Sequence, residues 1–190
     1  MSRRTPDTPD RSDVCKILLE SFAASARMNQ LLLAHLDARA WRAKPPNADP
    51  RSGRPMAAIF VHLHNSRLVW LKWSAPHLKC PAPLDPVRCT IKQAAAADRK
   101  SSAACLQMLK NALSASPGRR VKTFSRGSWA PEWPAGPTMF LYMFAHDVHH
   151  RAQVIMLAHQ LGYRLPDAAA YGIWQWDKLW KELNFSPGPR

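Results

Sequence analysis

Phe144-Ala145-His146-Asp147-Val148-His149-His150-Arg151-Ala152-Gln153 is the stretch that decides how this chain folds. It sets His146 and His150 four residues apart, one turn of an α-helix, so both rings share a face. Around them Met139, Met143, His146, His150, Val154, Leu157 and Leu161 recur in steps of three and four. That pattern is the apolar stripe of a core-facing helix, with two histidines in its middle. Two imidazoles on one face can close on one metal ion, as in helical H-E-x-x-H sites. Two core histidines satisfied by hydrogen bonds are the plainer reading, and a third ligand would decide between them.

Three more segments carry helical periodicity. The first runs from about Asp13 to Ala40, with Ile17, Leu18, Phe22, Met28, Leu31, Leu32 and Leu36 on its apolar face. A Pro-rich connection, Lys44 to Arg54, leads to a second helix from near Pro55 to about Trp73; proline suits a first turn. The loop Ser74 to Cys89 follows. Thr90 and Gln93 fit a capping box that opens a third helix ending near Leu113. After the irregular stretch Ser114 to Gly136, the fourth helix runs from Pro137 to Leu161. Gly162 stands at its C-terminal stop, with Pro166 beyond. The expected fold is all-α: a four-helix bundle over 13–164, a disordered segment at 1–12, and a partly helical tail at 165–190 bearing Trp174, Trp176 and Trp180.

Composition agrees with one such domain. A length of 190 residues allows a sizeable core, and eight Trp and seven Met help to fill it. Only seven Gly and weak β-branched runs argue against an all-β fold. The net charge of +14 is spread in scattered Arg and Lys without a nucleic-acid-binding motif, so it reads as a solvated basic surface. Cys15, Cys80, Cys89 and Cys105 form no C-x-x-C pair and read as reduced thiols in a cytoplasmic setting. The polar opening Met1 to Asp10 has no apolar core of a signal peptide. No apolar run approaches the ~20 residues that span a bilayer.

The second helix offers the missing ligand in Phe60-Val61-His62-Leu63-His64-Asn65. His62 and His64 lie about 200° apart around a helix and cannot both face one metal. Periodicity leaves the choice open, because Ile59, His62 and Val69 form one apolar stripe and Ala57, Phe60, His64, Leu68 and Leu71 another. Phe60-Val61-His62 followed by Trp70-Leu71, and then His146-Asp147-Val148-His149-His150-Arg151-Ala152-Gln153, resemble the DinB/YfiT-like family of metal-binding four-helix bundles. The resemblance covers Asp13 to Gly162. It aligns His62 with the family's first ligand and His146 and His150 with the other two. Ala152 and Val148 stand where the family often has Gly and Glu, and neither is a ligand position.

The resemblance implies a divalent metal, zinc or nickel, held by three histidines with a position left open. It also implies an S-transferase joining a low-molecular-weight thiol to a small electrophile, those two molecules being its partners. A metal-dependent hydrolase and a non-enzymatic metal-binding stress protein are the alternatives. Neither a nucleic acid nor a membrane is an expected partner, and a homodimer is allowed. His149 reads as a support for a ligand or a neighbour on the helix, with Gln153 within reach of it and of His150. Asp147 mimics the acid of H-E-x-x-H, but Asp is a methylene shorter than Glu, and it reads better as a polar residue on the helix surface. His35, His77 and His159 read as surface or boundary residues, and Trp70, Trp73, Tyr142, Trp174 and Trp176 as core packing rather than a ligand cage, with some of them walling a pocket mouth.

Overall fold

Each of the four periodic segments forms a helix, and local chemistry sets the ends. In the computed structural model, which describes residues 11–44, 53–114, 120–121, 133–134 and 136–185, these are α1 (Arg11–His35), α2 (Met56–Ser74), α3 (Ile91–Leu113) and α4 (Pro137–Gln160). The capping box at the start of α3 is formed: Thr90 N–H donates to Gln93 Oε1 at 2.9 Å and Gln93 N–H to Thr90 Oγ1 at 3.2 Å. Gly162 ends α4 with φ +77°, and Tyr163 N–H returns to the Ala158 carbonyl at 2.9 Å. That is the Schellman arrangement, whose left-handed residue favours glycine. A two-residue antiparallel pairing joins Arg120–Val121 to Trp133–Pro134 in the α3–α4 connection.

Helix α1 stops at His35, not near Ala40. Asp37 is the reason: its Oδ1 accepts from Arg39 N–H at 2.8 Å, and its carbonyl accepts from Ala40 N–H at 3.0 Å. An Asp side chain that captures the backbone in this way competes with the helix. The turn lets Trp41 enter the core, where its indole N–H donates to the Cys89 carbonyl at 2.8 Å. At the other end α1 already includes Arg11 and Ser12. The rest of the segment expected to be disordered lies outside the described residues, as does most of the Pro-rich α1–α2 connection.

The core is built in two apolar halves. One gathers Leu32, Leu33, Met56, Phe60, Leu63, Val154 and Leu157. The other gathers Phe22, Leu68, Leu71, Met108, Leu109, Met139 and Met143. Each long helix contributes to both halves, which fixes the chain directions. Helices α1 and α4 run one way and α2 and α3 the other. The connection from Ala75 to Thr90 must therefore cross back along the bundle. His64 and Asn65 pin it: His64 Nε2 donates to the Ala82 carbonyl at 2.9 Å, and Asn65 exchanges two hydrogen bonds with the backbone of Leu84. Helices α1 and α2 sit at opposite corners, with α3 and α4 between them.

The tail packs rather than trails. Helix α5 (Asp167–Ala170), the 3-10 turn Gly172–Trp174 and α6 (Trp176–Glu182) lie on α1. Ile173 and Leu179 bury against Met28. Gly172 passes so close to Leu31 that an added Cβ would come within 2.7 Å of it. Among the described residues no helix is long and apolar enough to cross a membrane.

Candidate metal centre

Between the two apolar halves, each of the four helices carries polar groups inward. On α4 these form two neighbouring rows, His146/His150 and Asp147/Arg151. The histidine row sits on the side toward α2, where His62 projects one turn before Ser66. His146 Nε2 lies 3.3 Å from His62 Nε2 and 3.1 Å from His150 Nε2. One nitrogen from each of the three rings falls within 4.8 Å of the others. Nitrogens about 3.3 Å apart are what two corners of a tetrahedron require at a Zn–N bond of about 2.05 Å. His64, 1% exposed, faces away from the cluster and holds the crossing connection instead.

The protonation pattern favours a cation over protons. Gln153 Oε1 accepts from His150 Nδ1–H at 2.7 Å, which leaves the lone pair of His150 Nε2 aimed into the cluster. The amide of Gln153 in turn donates to His149 Nε2 at 3.0 Å. Burial, then the neighbouring His150 and His62, push the His146 imidazole down to about 3, so the neutral ring persists at ordinary pH. Burial also lowers His150, against the opposing bond to Gln153. Three imidazoles without a carboxylate among them, two of them with lowered proton affinity, form a Lewis-basic set that suits a borderline dication such as zinc.

A cleft of about 540 Å³ opens on His62 and His146. Its walls include Val61, Ser66, Val69 and Pro86, the last from the crossing connection, with Arg54 at the rim. The Tyr142 ring lies flat against His146, with centroids 5.8 Å apart and planes 11° apart. None of the described residues on this wall is a carboxylate or a cysteine. Cys105 is fully buried elsewhere, its thiol pushed up to about 12 by that burial.

Asp147 is not on the surface. It is 1% exposed, and its Oδ2 accepts from Arg67 Nη2 at 2.5 Å and from Asn29 Nδ2 at 3.3 Å. Arg67 also donates to Asp98 Oδ1 at 2.6 Å and to Ser102 Oγ at 2.9 Å. Arg151 donates to Asn29 Oδ1 at 2.9 Å and to Ser25 Oγ at 3.1 Å. Two cations and two anions thus balance in the middle of the bundle, with α1 supplying neutral partners. The core-facing arc of α4 is wider than one stripe, and the residue after His146 falls within it. The network's members come from all four helices, and the one local signal of it is the pair of charged residues, Asp147 and Arg151, beside the histidine stripe of α4.

Of the other aromatic residues, Trp70 is buried, whereas Trp73 and Trp174 are 51% and 72% exposed and so are not packing residues. His77 and His159 are exposed and His35 half-buried. The family model described as the DinB family matches residues 5–179. The chain belongs to the DinB family. No curated protein and no solved structure matches it. The DinB match runs beyond the Asp13–Gly162 stretch that the motifs cover, and takes in the part of the tail that buries Ile173 and Leu179 on α1.

Proposed function

We propose that His62, His146 and His150 hold one divalent metal, zinc or nickel, and that the protein uses it to join a low-molecular-weight thiol to a small electrophile. The observation that carries this reading is the convergence of three imidazole nitrogens beside an open cleft. A dication there would act as a Lewis acid and would favour the ionised form of a thiol that reaches it. The chain's own residues hold and exclude. Gln153 fixes the ring of His150, Tyr142 backs His146, and Val61, Val69 and Pro86 give an apolar wall for the electrophile. Among its described residues the wall offers no cysteine as a nucleophile and no carboxylate as a general base, so a thiol that brings its own nucleophile suits it. Asp147, locked to Arg67, cannot serve a hydrolase as the acid of H-E-x-x-H does.

Elemental analysis of the purified protein tests the site, with about one divalent ion per chain expected. His62→Ala and His150→Ala should lose most of it, and His64→Ala should keep it. Full occupancy in His150→Ala would refute the assignment. The chemistry is tested by thiol consumption over an electrophile panel. Turnover should vanish with chelator and survive replacement of all four cysteines by serine. Metal-loaded protein that is inert with glutathione, bacillithiol, mycothiol and cysteine alike would leave a metal-binding protein without this activity.

A further inference from the structure

We infer that the open site takes an anionic ligand, a thiol or electrophile bearing a carboxylate, and that Arg54 is the residue that selects it. This rests on the three-histidine metal reading above. Arg54 stands just before the Pro55 cap of α2, its side chain exposed, and it borders two hollows at once. One is the cleft over His62 and His146; the other, about 570 Å³, runs past His149 and Gln153.

Charge bookkeeping points the same way. Arg54 takes part in none of the ion pairs among the described residues, in contrast to the compensated Arg67. Neither hollow has a carboxylate on its described walls. Three imidazole ligands would leave the full charge of a bound dication in place, so among the described residues cleft and rim would together carry an excess of positive charge. A neutral ligand would leave that excess unbalanced at the mouth of a cleft with apolar walls. A carboxylate meets a guanidinium with two parallel N–H···O bonds, a geometry that lysine cannot copy. Ser66, on the same wall, offers a further donor.

Calorimetric titration of the metal-loaded protein with 3-mercaptopropionate and its neutral isostere 3-mercaptopropionamide separates the charge from the thiol. Wild type should bind the acid about tenfold more tightly than the amide, the range of one charge-assisted contact at an open rim. In Arg54→Gln the ratio should fall to within about threefold with metal content unchanged, and Arg54→Lys should lie between. The preference should also shrink at high salt, because the rim is exposed. An acid-to-amide ratio that is the same in wild type and Arg54→Gln, or absent in wild type, overturns the role of Arg54 and leaves the metal reading standing. Protein without metal overturns both, and metal-loaded protein that binds neither probe overturns this inference together with the thiol reading.

Discussion

Helix α4 carries two polar pairs with the same four-residue spacing, offset by one position, and they meet opposite fates. Asp147 and Arg151 turn toward α1 and Arg67, where each charge finds partners and the network closes on itself. His146 and His150 turn toward α2, where they meet His62, the ring of Tyr142 and Gln153, and no carboxylate among the described residues. The first row is complete as it stands. The second brings ring nitrogens of three histidines to within 4.8 Å of one another. Buried polar groups that neutralise one another are read as architecture. A cluster of like groups beside a cleft, with no carboxylate among the described residues around it, is read as a candidate functional site.

The contrast breaks first if the closed row proves dispensable. Arg67→Ala would leave Asp98 and Asp147 buried without their cation. Removing one partner of a buried network costs about 3–5 kcal/mol, which for a chain of this size is a fall of roughly 10 °C in melting temperature. His150→Ala in metal-free protein should cost far less, because it relieves the crowding of like nitrogens. Thermal unfolding of both variants after chelation checks the pair. Equal losses would mean that the histidine row is also architecture.

Acid should separate the two rows next. His146 is held near 3 by burial and by its two histidine neighbours, against an ordinary value near 6.5. A depressed histidine is neutral in both states above about 6.5 and adds nothing there. As pH falls below that, the unfolded chain takes up a proton that the folded chain refuses, so stability is lost progressively down to about 3. Metal-free protein should lose roughly 5 °C of melting temperature between pH 7 and pH 5. His146→Gln, which cannot titrate, should flatten that slope. The same slope in wild type and variant would show that the histidine cluster is not what senses acid.

How much of this is legible in the chain follows from where each signal lies. The helices are written in local terms: the Thr90–Gln93 box, the Gly162 stop and the stripe through His146 each involve neighbours on one helix. The early end of α1 was not, because Asp37 acts through a backbone turn that periodicity overrides. The choice between His62 and His64 needed the resemblance, since both lie on apolar stripes, and the fold parts them by giving His64 to the crossing connection. The Arg67–Asp98–Asp147 network stayed hidden altogether. Its members come from α2, α3 and α4, and taken singly each reads as a charged surface residue. A charged residue within a core stripe is the one signal that could have exposed it, and Asp147 and Arg151 both bore it.

The smallest and sharpest test bears on what distinguishes the open row from a plain cluster. Gln153 is exposed and adds little to packing, so Gln153→Ala should leave the melting temperature of metal-free protein within about 1 °C. Its carbonyl nonetheless receives the Nδ1 proton of His150 and keeps the other nitrogen free of one. Without it, His150 can take the wrong tautomer or rotate, and metal affinity should fall about tenfold, the lower end for loss of a partner that orients a ligand. Gln153→Glu should restore or exceed wild-type affinity, because a carboxylate accepts the same proton more strongly. Competition against a chromophoric chelator measures both. Unchanged affinity in Gln153→Ala would mean that packing alone sets the His150 ring; a loss confined to affinity, with stability intact, is what a metal ligand and its support produce and a core histidine does not.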